Sequence, residues 1–368
     1  MVTYVHELKA WPDFNWDQDR LANKLAATRH RQGRLVGRME ALGFRQRAEA
    51  ALTTLTQEIV KSSEIEDEVL DKAQVRSSIA RRLGIDIGAL TIADRNVEGA
   101  VEMTLDATQK FAEPLTAERL FGWHAALFPT GRGSMSKIKT GAWRDGTSGP
   151  MQVVSGPPSR ERIHYEAPVA DRLNSEMKVF LDWFNKEEPM DLVLKAGVAH
   201  LWFVTIHPFE DGNGRIARAI ADLLLARSES SVQRFYSMSA QILKERKAYY
   251  DILEATQKSD LDITSWLEWF LGCFDRAFDG AETILASVIQ KARFWETHTG
   301  LHFNDRQRLV LNRLLNGIEG KLTNSIYSKL AKCSPDSALR DMDDLVKRGI
   351  LIKDAAGGRS TSYSLVKI

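Results

Sequence analysis

Apolar residues recur every three to four positions along most of this chain, and this helical period is the feature that most limits its fold. Alternation of apolar and polar residues, which marks a half-buried strand, is scarce. The pattern therefore predicts a mostly α-helical protein. The expected helices cover residues 17–42, 45–70, 72–83, 95–112, 116–127, 169–186, 190–206, 212–228, 240–256 and 262–298.

The helical pattern breaks between residues 131 and 168, where Gly, Pro and Ser are frequent. Short extended pieces are expected near Thr140–Arg144 and Met151–Ser155. We expect this stretch to be a surface loop that carries a β-hairpin.

The charge balance excludes a global attraction to polyanions. The 368 residues include 50 Lys and Arg against 49 Asp and Glu, so contact with nucleic acid or an anionic membrane would need a local patch. No run of 18 apolar residues is present, and the N-terminus lacks the basic and apolar regions of a signal peptide. Cys273 and Cys333 lie far apart and form no metal-binding pattern, which suits free thiols in a reducing compartment. We expect a cytoplasmic protein without a membrane partner.

The segment His207–Arg218 has the sequence HPFEDGNGRIAR and lies between two apolar helices. Pro208 disfavours helical backbone at His207, so the first helix is expected to end there with the imidazole at the mouth of a loop. Glycines on both sides of Asn213 let backbone amides approach an anion. The helix that follows adds unpaired N–H groups and the positive end of its dipole. The segment predicts a phosphate-binding cradle, with Phe209 as the apolar anchor of the loop.

Charged side chains complete this cradle. Asp211 offers an oxygen ligand suited to Mg²⁺, an ion that commonly binds one carboxylate together with phosphate oxygens. Arg215 and Arg218 lie three residues apart on the following helix, so they share a face and can both bond phosphate oxygens. Glu210 is the rival metal ligand and is expected to be solvated.

The twelve residues fit the signature HxFx(D/E)GNGRxxR at every fixed position, and the chain thereby resembles the Fic family. The resemblance implies a Fic-type helical bundle with a β-hairpin flap. It implies a helical extension at residues 1–90, a catalytic domain at 91–290 and a winged-helix domain at 291–368.

The resemblance also implies roles for the motif. His207 is the general base that deprotonates an incoming hydroxyl, and Asp211 holds Mg²⁺, or Mn²⁺ in its place, on the α- and β-phosphates of ATP. Arg215 and Arg218 bind the β- and γ-phosphates. The expected ATP-binding residues are Gly212, Asn213, Gly214, Arg215, Arg218, Tyr249 and Tyr250.

The residues from Ser62 to Asp67 resemble the inhibitory helix motif of Fic proteins, (S/T)xxxE(G/N), with Asp67 in the place of the final Gly or Asn. In the family this glutamate, here Glu66, pairs with the second arginine of the signature, here Arg218, and blocks a productive pose of ATP. Helical spacing leads to the same pair, because the apolar stripe of the preceding helix continues through Ser62 to Glu66 and an inward carboxylate needs a cation. The alternative is a surface glutamate in the charged run 64–68. We expect Glu66 to inhibit the protein, and Asp67 to loosen this inhibition.

Two further regions are assigned by the resemblance. The loop around Thr140–Arg144 and Met151–Pro157 resembles the flap that aligns a target segment by strand addition, although its composition also suits a passive loop. Arg246 and Tyr249–Tyr250 resemble the helix that closes over adenine, with core packing as the alternative. The expected flap residues are Thr140, Gly141, Met151, Gln152, Val153 and Val154. The histidines His124, His164 and His200 are expected to be structural.

The last part of the chain resembles a winged helix, with Ser334–Lys347 as the recognition helix and Gly357–Ser364 as the wing. The recognition helix carries Asp336, Asp341, Asp343 and Asp344 against Arg340 and Lys347. This is a poor surface for phosphates. A protein contact or dimerisation is favoured over DNA binding.

Together these features predict an autoinhibited protein adenylyltransferase, which moves AMP from ATP to a Ser, Thr or Tyr hydroxyl of a target protein or of itself. Two alternatives stay open. One is removal of AMP, with Glu66 positioning water, and the other is a winged-helix transcription regulator with a nucleotide-sensing Fic module. The expected partners are ATP, the target protein and a second copy of the chain in a homodimer.

Overall fold

The structure is a computed structural model that describes residues 3–88, 90–133, 137–156, 160–315, 320–354 and 361–366. The chain forms two compact units, Met1–Glu282 and Thr283–Ile368. The N-terminal helices and the helices that follow them thus lie in one unit. The expected domain boundaries at residues 90 and 290 stay predictions.

The fold is mostly helical, as predicted. The helices of the described residues are α1 Gln18–Glu40, α2 Phe44–Ile65, α3 Lys72–Leu83, α4 Arg95–Gln109, α5 Ala117–Leu127, α6 Leu173–Asn185, α7 Leu192–Ile206, α8 Asn213–Glu229, α9 Met238–Lys244, α10 Arg246–Gln257, α11 Thr264–Thr297, α12 Asp305–Leu315, α13 Asn324–Ala331 and α14 Pro335–Lys347. The strands are β1 Gln152–Ser155, β2 Arg162–Glu166, β3 Leu322–Thr323, β4 Leu351–Lys353 and β5 Ser362–Leu365. Side-chain caps explain several helix starts, since Asp17, Asp71, Asp94 and Thr116 each accept a backbone N–H of the first turn.

Helices α7 and α8 form the centre of the first unit. Every residue of α7 from Val193 to Ile206 is buried, and so is every residue of α8 from Arg215 to Ala226. A helix that is apolar on all sides is typical of the middle of a bundle. Helix α2 packs against α8 and α9. The loop between α7 and α8, which contains the motif, is therefore held on a rigid base.

The helix expected over residues 45–70 is shorter at its C-terminal end. Helix α2 ends at Ile65, and Asp67 adopts a left-handed conformation with φ of 59°. The N–H of Asp67 bonds the carbonyl of Glu64 at 3.1 Å, and that of Glu68 bonds the carbonyl of Ser63 at 3.0 Å. These two bonds are the Schellman motif, which reverses the chain after a left-handed residue. Residues 66–70 thus leave the helix axis instead of extending it.

The helix expected over residues 240–256 is divided into α9 and α10 at Glu245. The backbone of Glu245 departs from helical geometry, with φ of −109° and ψ of 21°. Its carboxylate is bonded by the Arg276 guanidinium, with both distances 2.6 Å. A long-range ion pair at the junction accompanies the break that periodicity did not indicate.

The β-hairpin predicted between residues 131 and 168 is present, but its strands differ from those expected. Strand β1 pairs antiparallel with β2, and the register shifts between Val153 and Val154. Thr140–Arg144 is not a strand. Gly141 has φ of 67°, a left-handed conformation that glycine adopts without strain. Its N–H is donated to Nδ1 of His124 at 3.0 Å, so this segment turns against α5.

The second unit contains α12 to α14 and a three-stranded antiparallel sheet with the strand order β3-β5-β4. Val310, Tyr327 and Met342 belong to its apolar core. The order of helices and strands agrees with the expected pattern, while its assignment as a winged helix stays a prediction. Residues 357–360 of the expected wing lie outside the described residues.

One acidic residue of the expected recognition helix is not on the surface. Asp341 is buried, its carboxylate is bonded by Nε of Arg306 at 2.7 Å, and it accepts the Tyr327 hydroxyl at 3.1 Å. Asp341 therefore stabilises the second unit and adds little to the charge of the α14 surface.

Among the helices that the structure describes, none combines the length and the apolar character needed to cross a lipid bilayer.

Candidate functional site

His207 ends helix α7 in a conformation that the sequence did not predict. The helix ends before His207, as the following proline predicted, and His207 itself is left-handed, with φ of 52° and ψ of 57°. Such a conformation is rare for a residue other than glycine and often marks a functional position. Arg144 holds it from outside the motif: its Nε donates to the His207 carbonyl at 2.8 Å, and its backbone N–H donates to the Pro208 carbonyl at 2.9 Å.

The tautomer of His207 follows from its hydrogen bond. Nδ1 lies 3.1 Å from the Val204 carbonyl, which can only accept, so Nδ1 carries the proton and Nε2 the lone pair. Burial lowers the pKa of His207 to about 4. The ring is therefore neutral, and able to accept a proton, throughout the physiological pH range. It lines a cleft of about 780 Å³.

The loop after His207 is fixed by two side chains. Phe209 is fully buried, and its ring stacks on His124 with centroids 4.2 Å apart. This confirms Phe209 as the apolar anchor. The Asn213 side chain accepts the N–H of Phe209 at 3.0 Å and donates to its carbonyl at 2.8 Å. Asn213 thus holds the loop in its conformation.

The cradle opens at the first turn of α8. Gly212 precedes the helix with φ of 80°, and the first N–H groups of a helix have no partner within it. A Cβ at Gly214 would lie 2.2 Å from Oε1 of Glu66. Only a glycine therefore lets an anionic oxygen come this close to the positive end of α8.

The two arginines of the motif lie in the first turns of α8, and both are buried. Nη2 of Arg218 lies 2.8 Å from Oε1 of Glu66. Nε of Arg218 donates to the Ser62 hydroxyl at 2.9 Å, and Nη2 donates to the Ser62 carbonyl at 2.8 Å. The predicted pairing of Glu66 with Arg218 is confirmed, and Ser62 lies beside it as expected.

Two further ion pairs were not predicted. Arg215 bonds the carboxylate of Glu68, and both terminal nitrogens of Arg246 bond the carboxylate of Asp67, at 2.8 and 2.7 Å. The charged run 64–68 was the only signal for them in the sequence, and it did not indicate either partner. Two buried guanidinium nitrogens, Nη1 of Arg218 and Nε of Arg215, have no hydrogen-bond acceptor among the described residues. The cradle therefore still has donors to offer an anion.

Asp211 lines the same cleft as His207. Gly133 passes so near that a Cβ there would lie 2.7 Å from Oδ2 of Asp211. Glu210, expected to be solvated, accepts the backbone N–H of Lys139 at 2.9 Å. Glu210 thus ties the segment before the hairpin to the motif, and it lines the cleft together with Asp211.

The hairpin forms another wall of the cleft, to which Met151, Gln152, Val153 and Val154 contribute. Thr140 and Gly141, also expected in the flap, lie in the turn that precedes the hairpin. His164 of β2, expected to be structural, has two side-chain partners. Its Nε2 lies 2.6 Å from the Ser155 hydroxyl, and its Nδ1 lies 2.6 Å from the Glu254 carboxylate.

Glu254 connects the hairpin to α10. Its carboxylate also bonds Arg162 at 2.9 Å and Lys258 at 2.6 Å. Although burial opposes the effect, hydrogen bonds from Lys258, His164 and Arg162 lower the pKa of Glu254 to about 2. Sequence reasoning missed this contact because it joins residues 90 positions apart.

We predict that Glu254→Gln loosens the hairpin. The amide keeps the size of the side chain but removes the charge that holds Arg162 and His164. Backbone amides of β1 and β2 should exchange hydrogen roughly tenfold faster, for a loss of about 1–2 kcal/mol. The matched control is Asp251→Asn on the same helix, whose partner Lys247 is exposed. Equal rates of amide hydrogen exchange in both variants would contradict the view that Glu254 holds the hairpin to α10.

The two tyrosines of α10 differ in their surroundings. Tyr249 is buried, its hydroxyl lies 2.8 Å from Nε2 of His200, and its ring packs on Trp269. Tyr250 is 38% exposed, and the Arg246 guanidinium lies 5.8 Å from its ring centroid. Both line the cleft. Tyr250 is the more exposed of the two rings, while Tyr249 also packs in the core.

We predict that acidification below pH 6.5 destabilises the fold. Burial lowers the pKa of His124 and His207 to about 4 and that of His200 to about 3. Between pH 6.5 and 4 the unfolded chain binds protons that the folded chain does not. The free energy of unfolding therefore falls with the pH, by on the order of several kcal/mol in total. Urea unfolding at pH 7.5, 6 and 4.5 measures this slope, which His200→Gln should reduce. A slope that is flat in both proteins would contradict the prediction.

Two family models match the chain. One, described as the Fic/DOC family, matches residues 114–225. The other, described as a domain of unknown function, DUF4172, matches residues 4–85. The first match contains the whole motif, and the second contains Ser62 to Glu68.

Several curated proteins are similar to parts of the chain. The protein adenylyltransferase Fic of Nematostella vectensis is 31% identical over 116 residues, which are 30% of this chain and 25% of that protein. The protein of the same name from Culex quinquefasciatus is 27% identical over 233 residues, 61% of this chain and 41% of that protein. The matches thus span less than half of either relative.

Solved structures share the fold. A Fic family protein from Desulfovibrio desulfuricans aligns with a TM-score of 0.54 at 21% identity, covering 96% of this chain and 97% of that one. A Fic domain containing signaling protein from Bacteroides thetaiotaomicron aligns with a TM-score of 0.51 at 18% identity, covering 73% and 97%. These likenesses concern the fold. Residues 114–225, which match the Fic/DOC family model and contain the motif, are thereby identified as a Fic domain.

Proposed function

We propose that the chain is a protein adenylyltransferase, which transfers AMP from ATP to a hydroxyl side chain of a protein. One observation carries the proposal: a neutral histidine whose Nε2 holds a lone pair lines the same cleft as an anion cradle. That cradle combines the first turn of α8 with two buried arginines, whose present partners are carboxylates. The names of the relatives from Nematostella vectensis and Culex quinquefasciatus support the same chemistry.

The reaction that fits these residues is an in-line displacement at the α-phosphate. Nε2 of His207 accepts the proton of the target hydroxyl, and the hydroxyl oxygen forms a bond to the α-phosphorus. The bond between that phosphorus and the oxygen bridging to the β-phosphate breaks, and pyrophosphate leaves. A base that is neutral at working pH can contribute about 10²–10⁴-fold. Arg215, Arg218 and the α8 amides hold the phosphates while charge develops.

Asp211 is the residue that would hold a divalent cation. Its carboxylate lines the cleft beside the close approach of Gly133, and Mg²⁺ is often bound by one carboxylate together with substrate phosphates. When bound, such an ion supplies positive charge against the phosphate oxygens.

The target segment and the adenine of the nucleotide are expected to contact different walls of the cleft. Strand β1 offers an edge to which an extended target segment can add by backbone hydrogen bonds. Tyr250, with its exposed ring, is the residue of α10 best placed to stack on adenine.

A comparison of two labels tests the proposal. Glu66→Gly is incubated with ATP labelled on the α-phosphate or on the γ-phosphate, with Mg²⁺ and a cell lysate. We expect the α-label to enter protein and the γ-label to stay out. Entry of the γ-label would mean phosphoryl transfer, and entry of neither label would remove the support for a transferase.

Removal of AMP is the second candidate, and one observation favours it. The carboxylate of Glu66 lines the same cleft as the His207 ring. Glu66 could there position a water molecule. Release of AMP from a modified protein by the wild type, and not by Glu66→Gly, would favour this candidate.

A further inference from the structure

The turn after α2 brings three successive acidic residues to three arginines. Glu66 pairs with Arg218, Asp67 with Arg246 and Glu68 with Arg215. Arg218 and Arg215 lie on α8, and Arg246 begins α10. The turn is therefore attached to both sides of the cleft by charge.

The backbone of the turn explains how Glu66 and Glu68 both reach α8. Asp67 is left-handed, and the N–H groups of Asp67 and Glu68 bond carbonyls of the last helical turn. The chain thus reverses its direction at the end of α2 and stays bonded to the last helical turn. A continued helix would turn Glu68 about 200° away from Glu66 around its axis, because successive residues are about 100° apart.

The contact between Glu68 and Arg215 differs from an ordinary surface pair. The Arg215 side chain is 7% exposed and the Glu68 side chain 33%. The Arg215 guanidinium also lies 5.0 Å from the ring centroid of Phe128, which fixes its position. A partly buried, oriented pair is screened less by water and salt than an exposed one. Glu68 thus neutralises the charge of Arg215 when the turn after α2 packs on α8.

We propose that Glu68 is a second inhibitory carboxylate, which competes with the phosphates of the nucleotide for Arg215. Glu66 and Glu68 then act together, since the Schellman turn places them and each holds one arginine of the motif. The inference rests on the proposed function in taking ATP as the ligand. Removing Glu66 alone leaves Arg215 neutralised, so full access for a triphosphate requires loss of both contacts or movement of the whole turn.

Nucleotide affinity tests this inference without relying on catalysis. ATP and AMP are titrated calorimetrically into the wild type, Glu66→Gly, Glu68→Gln and the double variant. The matched control is Glu64→Gln, because Glu64 pairs with Lys61 at 2.5 Å outside the cleft. We expect Glu68→Gln to raise ATP affinity about tenfold in both the wild-type and the Glu66→Gly background. Affinity for AMP, which lacks the β- and γ-phosphates, should change less than about twofold.

The outcomes separate the inference from the proposed function. If ATP affinity rises with Glu68→Gln while no variant transfers AMP, inhibition by Glu68 is supported and the proposed transferase activity is refuted. If Glu66→Gly transfers AMP but Glu68→Gln matches Glu64→Gln in ATP affinity, the inference is overturned. Glu68→Asp keeps the charge with a shorter reach and should give an intermediate gain. Equal thermal midpoints for the Gln variants exclude unfolding as the cause.

Discussion

In a Glu66→Gly background, His207→Ala should lower the rate of AMP transfer by roughly 10²–10⁴-fold. The reason is the loss of Nε2, whose lone pair is fixed by the bond of Nδ1 to the Val204 carbonyl. The affinity for ATP should stay nearly constant, because the phosphate contacts come from α8. Initial rates with α-labelled ATP and calorimetric titration measure the two quantities.

His207→Gln is the control for this prediction. Glutamine keeps a polar side chain of similar size without a basic nitrogen, so its rate should be as low as that of His207→Ala. A rate within about threefold of the parent in both variants would show that another group accepts the proton.

Arg218→Lys should weaken ATP binding by roughly 10²-fold, even in the Glu66→Gly background. A lysine keeps the charge but loses the fork of donors, including Nη1, which has no acceptor among the described residues. Hydrogen bonds to charged groups contribute about 1.5–3 kcal/mol each. Titration of ATP and AMP measures the loss, which should be small for AMP.

Arg227→Lys is the matched control for Arg218→Lys. Arg227 lies on the same helix, and its guanidinium bonds the carbonyls of Phe111 and Glu113 instead of a motif residue. Its replacement should leave ATP affinity within about twofold. Equal losses in the two variants would indicate a general effect on α8 and contradict a phosphate role for Arg218.

The local part of the site could be predicted from the sequence because its geometry is encoded within a few residues. The proline after His207 and the glycines around Asn213 set the loop and the helix start. Helical spacing also predicted the contact between Glu66 and Arg218. This prediction required only that the buried face of α2 be identified correctly. Even here the left-handed conformation of His207 was missed, because it depends on anchoring by Arg144 from 63 residues away.

The rest of the site depends on a chain reversal and on long-range contacts. A helix extended to Leu70 hid the Schellman turn, and with it the pairing of Glu68 with Arg215. An aspartate at position 67 gave a weaker signal for a left-handed residue than a glycine would have given. The contact of Glu254 with the hairpin joins residues that are distant in sequence, and the lowered pKa of His207 follows from burial. Neither is revealed by periodicity.

We propose that Glu66 occupies the place of a nucleotide phosphate. A crystal structure of Glu66→Gly with a non-hydrolysable ATP analogue and Mg²⁺ tests this most directly. We predict a terminal phosphate oxygen beside Gly214 and within hydrogen-bond distance of Arg218, with the α-phosphate facing Nε2 of His207. Phosphates that bind away from Arg218 and the first turn of α8 would contradict the account.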